Sequence, residues 1–548
     1  MRTFKYKISA LLLVAGIGIA GCTKLHESLN NTFTAAQTTA GLGAAGTGLL
    51  LSAAYVDLGT PFTGQDEVFS LEENTTDESL VPTRGGDWDD NGVWRVLHNH
   101  TWNADHGQIL QVFNNLNKLN FDATNVLGFG PSKGQAAEAR FLRALSLYYL
   151  LDLYGQYPFR NPGDNLLNAP NVLTGDSATQ FIISELTTIL PDMPTTTLAS
   201  QANLNAAKTL LMKLYLNRGA FKNRAAPTFD DADMQQVLTL GNQIMTSGAY
   251  TYSANYFDNF SATNGSSKEL IFAYPNASGV SVNNSGPDAR WMMGNHYNEF
   301  DAQAPNAGWN GFSTISDFYS TFNVTGAPIT FTTADTTWDP RLGGRYYPAV
   351  TPYSGIRPGF MAGQQFDQNG VALKDRKGNP LNFNPVIAAN MIETGSNLEV
   401  TGIRVDKYPP DFTDHGGAFY SANSGNWLVI FRYPDVVLMV AEAKLRAASP
   451  DPAGALALVN QIRTARGTSA LGSMALVNTS NVDDPGTLLA ERGRELYFES
   501  VRRTDLIRFG VFGVLWQYKP SDAPQYLVFP VPNQALAANP NLIQNPGY

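Results

Sequence analysis

Hydrophobic positions between residues 137 and 154 recur with the period of an α-helix. One row consists of Ala137, Phe141, Ala144, Tyr148 and Leu151, and the adjacent row of Leu142, Leu145, Tyr149 and Leu153. A stripe this wide is typical of a helix that packs on two sides. We predict that the helix ends at Gly155, with Pro158 just beyond, because this order of residues commonly follows a helix.

The same period recurs in shorter segments on both sides of a long region that lacks it. We predict helices over residues 34–58, 106–121, 179–190, 205–220, 231–247, 433–447, 452–466 and 487–498. Asn203 or Asn205 is expected to cap the fourth of these, and Gly219 to end it. Short amphipathic helices in antiparallel pairs are typical of tetratricopeptide-type arrays. The predicted fold is therefore mostly α, with a tetratricopeptide-like scaffold of helix pairs.

Residues 251–426, called the insertion below, are rich in Gly, Pro, Asn and aromatic residues, with only short strand-like runs such as 269–274. We predict a single domain over residues 34–548. Its helical scaffold covers 34–250 and 427–548, and the insertion forms an irregular, loop-rich, ligand-facing part between them.

The N-terminus has the pattern of a bacterial secretory signal. Basic residues precede an apolar run of about a dozen residues, which is too short to span a bilayer. Cys22, the one cysteine of the chain, directly follows Ala20-Gly21, which resembles a lipobox. We predict a signal peptide over residues 1–21, lipidation of Cys22, and a tether over residues 22–33. The alternative is an ordinary signal peptide that happens to end in a cysteine.

Composition narrows the class of partner. Hydrophobic residues make up 43% of the chain, charged residues only 15%, and the net charge is −10. A negative charge without basic runs disfavours nucleic acid. No stretch after residue 21 is long and apolar enough to cross a bilayer, so we expect the lipid to be the only contact with the membrane. A weakly charged, aromatic-rich chain favours neutral ligands.

Several motifs that suggest a cofactor, metal or catalysis are better explained otherwise. Residues 41–46 match G-x-G-x-x-G, but they do not follow a strand as a dinucleotide site requires. His98, His100 and His106 lack partners in a metal-binding spacing, so we expect them at the surface or at helix caps. We predict no cofactor, and we leave open a structural calcium ion among the Asp-rich loops.

Paired carboxylates are frequent near the N-terminus, as at Glu72-Glu73 and Asp77-Glu78. A glycosidase needs two carboxyl groups that face each other across a sugar, whereas sequence neighbours usually diverge, and we expect these loops to face water. Glu491, Glu495 and Glu499 lie on one helical face among arginines, where structural ion pairs are the better explanation.

Aromatic residues in the irregular regions favour glycan binding. Flat rings stack on the C–H faces of sugars, and planar amide, carboxylate and guanidinium groups meet their hydroxyl edges. The candidate ligand-binding residues are Asp77, Arg84, Trp102, Asn103, Trp291, Tyr297 and Trp309. The alternative is that the tryptophans pack the loops against the helices, which we favour for Trp88 and Trp94.

Motifs along nearly the whole mature chain resemble the SusD/RagB family of outer-membrane nutrient-binding lipoproteins. They are residues 76–78 (TDE), 82–88 (PTRGGDW), 138–144 (EARFLRA), 153–155 (LYG), 432–436 (RYPDV), 441–443 (AEA), 460–463 (NQIR), 491–496 (ERGREL), 503–510 (RTDLIRFG), 530–532 (PVP) and 539–548 (NPNLIQNPGY). The resemblance implies tetratricopeptide-like helices that support an irregular ligand-binding face.

The resemblance also implies a partner and a location. The partner is a SusC-like TonB-dependent transporter, and the location is the outer leaflet of a Bacteroidota-like outer membrane. The short acidic run that often follows the lipidated cysteine in that lineage is absent, since only Glu27 follows Cys22 closely. We expect a non-catalytic protein that captures a glycan and passes it to the transporter. The alternatives are a RagB-like peptide-uptake protein, a surface glycoside hydrolase, and an adaptor without a small ligand.

Overall fold

The computed structural model describes residues 35–277, 289–299, 308–323, 338–343, 358–367, 370–409, 424–519 and 522–548. The predicted signal peptide, Cys22 and the predicted tether lie outside the described residues. In the part of the chain that is described, no helix combines the length and the apolar character needed to cross a bilayer.

The scaffold is an array of helices in which each packs on the next, as the sequence predicts. The helices are α1 Ala35–Thr63, α2 Val68–Glu73, α3 Val93–His98, α4 Gly107–Gly128, α5 Lys133–Tyr154, α6 Gly175–Ile189, α7 Leu204–Lys222, α8 Asp231–Met245, α9 Ala289–Met292, α10 Ser316–Ser320, α11 Tyr433–Arg446, α12 Pro452–Ala465, α13 Leu488–Leu496, α14 Arg502–Arg508 and α15 Asn533–Ala538. Contacts run in order from α4 to α8, then from α8 to α11 and α12. The two halves of the scaffold therefore meet at α8 and α11.

The helix predicted most strongly, α5, lies at the centre of this array. Ser132 caps it in a reciprocal capping box with Gln135, and it ends at Tyr154 with Gly155 as its C-cap. Nearly every residue of its last four turns is buried, because it packs on α4 and α6 and also contacts α1 and α7. Its two-sided apolar stripe is thereby confirmed.

The strands are short and pair two at a time. They are β1 Thr83–Arg84, β2 Gln156–Phe159, β3 Asn171–Thr174, β4 Leu270–Tyr274, β5 Gly359–Met361, β6 Gly363–Gln364, β7 Asn382–Phe383, β8 Ile392–Glu393, β9 Arg404–Asp406 and β10 Leu428–Arg432. The antiparallel pair β4–β10 joins the start of the insertion to the point where the scaffold resumes. The insertion thus leaves the scaffold and returns to it at one ladder.

A buried ion network fixes the insertion on the scaffold. Glu495 of α13 accepts hydrogen bonds from Arg341 of the insertion and from Arg432 of β10 at 3.1 and 2.6 Å. Lys407, also of the insertion, donates to Glu499 at 2.6 Å. The prediction of structural ion pairs along this glutamate face is confirmed.

Gly219 does not end its helix, contrary to prediction. Helix α7 continues to Lys222 after its N-cap Asn203. A Cβ at residue 219 would overlap the carbonyl oxygen of Thr228, so glycine is required there for the close approach of the following loop.

The carboxylates of residues 72–73 and 77–78 do not face water, contrary to expectation, and two of the three histidines are neither at the surface nor caps. Glu72, Glu73, Asp77 and Glu78 are all buried. The buried rings of His98 and His100 contact backbone carbonyl oxygens at 2.8 to 3.1 Å. His106 does occupy the N-cap position of α4. The partners of these buried groups come from distant parts of the chain, so local sequence does not reveal them.

Candidate functional site

Two tryptophans meet where the loop before α3 contacts the insertion. Trp88 has a left-handed backbone, with φ of 59°, and its Nε1 donates to the carbonyl oxygen of Trp309 at 2.9 Å. A Cβ at residue 311 would overlap the Trp88 ring, so Gly311 is needed for this contact. Both indole rings are half-buried and present partly exposed apolar surface.

Tyr297 extends this surface. Its hydroxyl donates to Asp87 at 2.9 Å, and the guanidinium of Arg376 lies 3.8 Å from the centre of its ring. Burial and the hydrogen bond to Asp87 raise the pKa of Tyr297 to about 12, so the phenol is neutral at physiological pH. We call Asp87, Trp88, Tyr297, Trp309 and Arg376 the aromatic site.

The buried side chain of Glu399 fixes the position of Arg376. Its Oε1 accepts from Arg376 Nε at 2.8 Å, and its Oε2 accepts from the Arg376 backbone N–H at 3.0 Å. His296 Nδ1 accepts from the backbone N–H of Asn298, which leaves Nε2 to donate to Glu399 at 3.0 Å. Burial alone would raise the pKa of Glu399, but the hydrogen bonds from His296 and Arg376 lower it to about 2.

A cavity of about 550 Å³ lies among residues that neighbour the aromatic site in the chain. Asp375 and Val400 line it. Asp375 directly precedes Arg376 in the chain, and Val400 directly follows Glu399. Asn298 joins the two regions, since its Nδ2 donates to the carbonyl oxygen of Lys374 at 2.8 Å. The cavity wall also contains Asn379, Asn382, Phe383, Asn384 and Ser396. Amide and hydroxyl groups beside aromatic rings suit a ligand rich in hydroxyls.

Two further predicted site residues lie behind this surface. Arg84 is buried and donates to Thr401 Oγ1 and to the Thr401 carbonyl oxygen, both at 2.9 Å, and to Ser313 Oγ at 3.2 Å. Arg84 thereby links the segment that carries Trp309 to the end of the cavity wall. Trp291 is 1% exposed and packs against Trp309. The structure gives both side chains a supporting position, without exposed surface for a ligand.

The structure does not bring the other three predicted residues to this surface. Asp77 is buried and accepts from Arg502 at 2.8 and 2.5 Å. Trp102 is 3% exposed, and its Nε1 donates to Tyr548 at 2.8 Å. Asn103 is exposed, but its Oδ1 accepts from the backbone of Asp105 in the turn before α4. Ligand contact by these three residues stays a prediction to which this geometry adds no support.

Sequence reasoning missed Arg376 and Glu399. Both lie among the polar loops of the insertion, and no local pattern distinguishes them. Trp94 fits the packing role expected for it, since it is 4% exposed and contacts Trp88 and Phe312. Trp88, which is also expected to pack, contacts Trp94 and Phe312 but remains partly exposed. In the described ranges, no group of three or more His, Cys, Asp or Glu side chains is arranged to hold a metal ion.

An irregular face supported by paired helices is the arrangement expected of the SusD/RagB type. A model of the SusD family matches residues 235–526, more than half of the chain, and the protein belongs to that family. The starch-binding protein SusD of Bacteroides thetaiotaomicron is 25% identical over 530 residues, which cover 90% of this chain and 89% of the relative. The family membership expected from the sequence motifs is thereby confirmed.

Solved structures share the fold. A laminarin-binding SusD-like protein has 19% sequence identity and a TM-score of 0.63, over 92% of this chain and 99% of that chain. Surface glycan-binding protein A from Bacteroides thetaiotaomicron, in complex with laminarihexaose, has 16% identity and a TM-score of 0.61, over 91% of this chain and 98% of that chain. The predicted mostly helical, SusD-like fold is thereby confirmed.

Proposed function

We propose that this protein binds a neutral glycan at the aromatic site. The observation that carries the proposal is the partly exposed aromatic surface of Trp88, Tyr297 and Trp309, near a cavity of about 550 Å³ whose lining includes three asparagine amides. Sugar C–H faces stack on such rings, while Asp87 and Arg376 offer planar groups to hydroxyl edges. The names of the starch-binding and laminarin-binding relatives support a glycan as the ligand.

The proposed role is binding without catalysis. Two carboxylates bonded to residues of the aromatic site are Asp87, which accepts from Tyr297, and Glu399, which accepts from Arg376. A glycosidase needs one carboxylic acid that is protonated near neutral pH. Glu399, with its pKa of about 2, does not provide it.

The proposed cellular role is delivery to a SusC-like TonB-dependent transporter in the outer membrane. Membership of the SusD family supports this role, and a lipid on Cys22 would keep the binding site near the channel. A partner held within reach of a tether acts as if present at roughly millimolar concentration, so even moderate affinity for the transporter suffices.

The test is binding of the soluble protein, lacking residues 1–22, to starch, laminarin and peptide panels by affinity electrophoresis and calorimetry. We expect retardation by one class of glycan, and at least about tenfold weaker binding by Tyr297→Ala, the equivalent of 1.4 kcal/mol. The matched control is Tyr215→Ala, which removes a half-buried tyrosine of α7 away from the site. Equal affinities of the two variants would refute the site. If calorimetry detects binding of peptides and neither assay detects binding of any glycan, the peptide-uptake alternative is favoured instead.

A further inference from the structure

A second concave surface lies on the helical scaffold. It is a cavity of about 400 Å³ between α4, the strand β2 and the helix α15. Its lining residues are distinct from those of the aromatic site and of the cavity beside it. The volume lies within the range of about 300–1,000 Å³ that is usual for small-molecule sites.

The lining of this cavity combines aromatic rings with amides. Helix α4 contributes Phe113, Asn117, Asn120 and Thr124, which lie on one helical face, and Phe159 of β2 adds a ring from the facing wall. Arg160 is the one charged side chain in the lining, and its guanidinium donates to the carbonyl oxygens of Asn165 and Asn168. The cavity therefore offers a mainly apolar surface with amide groups and a single guanidinium, which suits a neutral ligand with hydroxyl groups.

Two of these amides have an acceptor oxygen left over. Nδ2 of Asn120, a residue that is 7% exposed, donates to the carbonyl oxygen of Pro158 at 3.1 Å. Nδ2 of Asn117 donates to the Phe113 carbonyl oxygen at 2.8 Å. These bonds fix which end of each amide is the oxygen, and both Oδ1 atoms are buried without a hydrogen-bond partner.

A buried acceptor without a donor is destabilising. Both oxygens belong to side chains that line the cavity, and both are out of reach of water, so a donor in the cavity reaches them only when the amides turn toward it. A sugar ring has the required pair of features, because its hydroxyl groups donate and its C–H face packs on phenylalanine rings. A cation is disfavoured because no carboxylate lines the cavity.

We propose that this cavity is a second glycan-binding subsite, which accepts one neutral sugar ring, either as a free sugar or as the terminal ring of a longer chain. The choice of ligand class rests on the proposed function, whereas the cavity and its unpaired acceptors do not. The subsite would give the protein a second contact with a glycan, on the scaffold rather than on the insertion.

The test uses a matched pair of substitutions on α15. Ala538 lines the cavity and is exposed, whereas Ala537 is equally exposed and does not line it. Ala538→Trp should therefore fill the cavity mouth, while Ala537→Trp adds the same side chain next to it. Both are made in the Tyr297→Ala background, and circular dichroism checks that each variant is folded.

Binding is measured by saturation-transfer NMR with glucose, galactose, N-acetylglucosamine, maltotriose and laminaritriose. We expect sugar-ring signals that fall at least about tenfold with Ala538→Trp and persist with Ala537→Trp. Signals from monosaccharides identify a free sugar as a ligand, and signals from trisaccharides alone identify a terminal ring. Equal signals from the two variants, no signal from any sugar, or a cavity-specific signal from phenol or indole alone would overturn the proposal.

Polysaccharide binding by the two single variants, Ala538→Trp and Tyr297→Ala, separates the two proposals when each is compared with the unsubstituted chain. If only Tyr297→Ala weakens it and the NMR pair shows no difference, the second subsite is wrong and the proposed function stands. If Ala538→Trp weakens it and Tyr297→Ala does not, the aromatic site is wrong and the scaffold subsite stands.

Discussion

Glu495 links the insertion to the scaffold, and replacing it tests that attachment directly. It is fully buried, and its carboxylate accepts from Arg432 at 2.6 Å, from Arg466 at 2.7 and 3.2 Å, and from Arg341 at 3.1 Å. Burial alone would raise the pKa of Glu495, but the three arginines lower it well below its ordinary value. The group is therefore charged at neutral pH.

The perturbation is Glu495→Gln, which keeps the shape of the side chain and removes its charge. Loss of one partner from a buried ion pair costs about 3–5 kcal/mol. Arg341 retains Asp339, and Arg432 and Arg466 both retain Glu269. Because every arginine keeps another carboxylate, we expect the lower end of that range, a loss of about 3 kcal/mol in the free energy of unfolding.

The assay is equilibrium urea unfolding at pH 7, followed by tryptophan fluorescence and far-UV circular dichroism. The control is Asp176→Asn, which makes the same carboxylate-to-amide change in a surface pair whose Arg218 and Asp176 side chains are 28% and 55% exposed. Surface pairs are screened by solvent and contribute about 1 kcal/mol or less. If Glu495→Gln costs no more than this control, the network does not hold the insertion in the way we argue.

Two further predictions concern buried acids and the anchor. Burial raises the pKa of both Glu73 and Glu78; the charge of Glu78 raises the pKa of Glu73 further, and the pKa of Glu78 reaches about 7. Both pKa values exceed those of the unfolded chain, so the stability from this pair is fully present below about pH 4.5 and is lost progressively as the pH rises through the two folded pKa values, of which that of Glu78 is about 7. Glu73→Gln should flatten this fall in urea denaturation between those pH values, and an unchanged slope would contradict the assignment. Cys22→Ala should move the protein from the membrane fraction to the soluble fraction and reduce glycan uptake while purified protein binds as before; persistent membrane attachment would rule out the lipid anchor.

The helices could be predicted because their signal is local. The apolar stripe of α5 and the Asn203 cap of α7 each lie within one element, and the structure places both where the pattern does. Gly219 shows the limit of such signals: glycine also permits close packing, and only the position of Thr228 reveals which role applies.

The site could be predicted only in part, because its contacts join distant segments. Asp87 and Tyr297 are 210 residues apart, and Trp88 and Trp309 are 221 apart. Residue type indicates that Tyr297 and Trp309 suit a sugar, but it does not indicate which aromatic residues remain half-exposed. Trp102 and Trp291, of the same residue type, are buried. The position of Asp77 is set in the same way by a distant partner, since Arg502 is 425 residues away.

The pairing of the charged side chains indicates whether the ligand is ionic or neutral. Charged residues make up only 15% of the chain, and many of its arginines are buried in ion pairs, among them Arg432, Arg466 and Arg492. At the aromatic site, Arg376 is paired with Glu399 and lies 3.9 Å from Asp87. Charge that is neutralised in this way leaves little field to attract an ionic ligand. On the proposed function, selection therefore depends on ring stacking and on hydrogen bonds to hydroxyl groups, both of which depend on the shape of a sugar rather than on its charge.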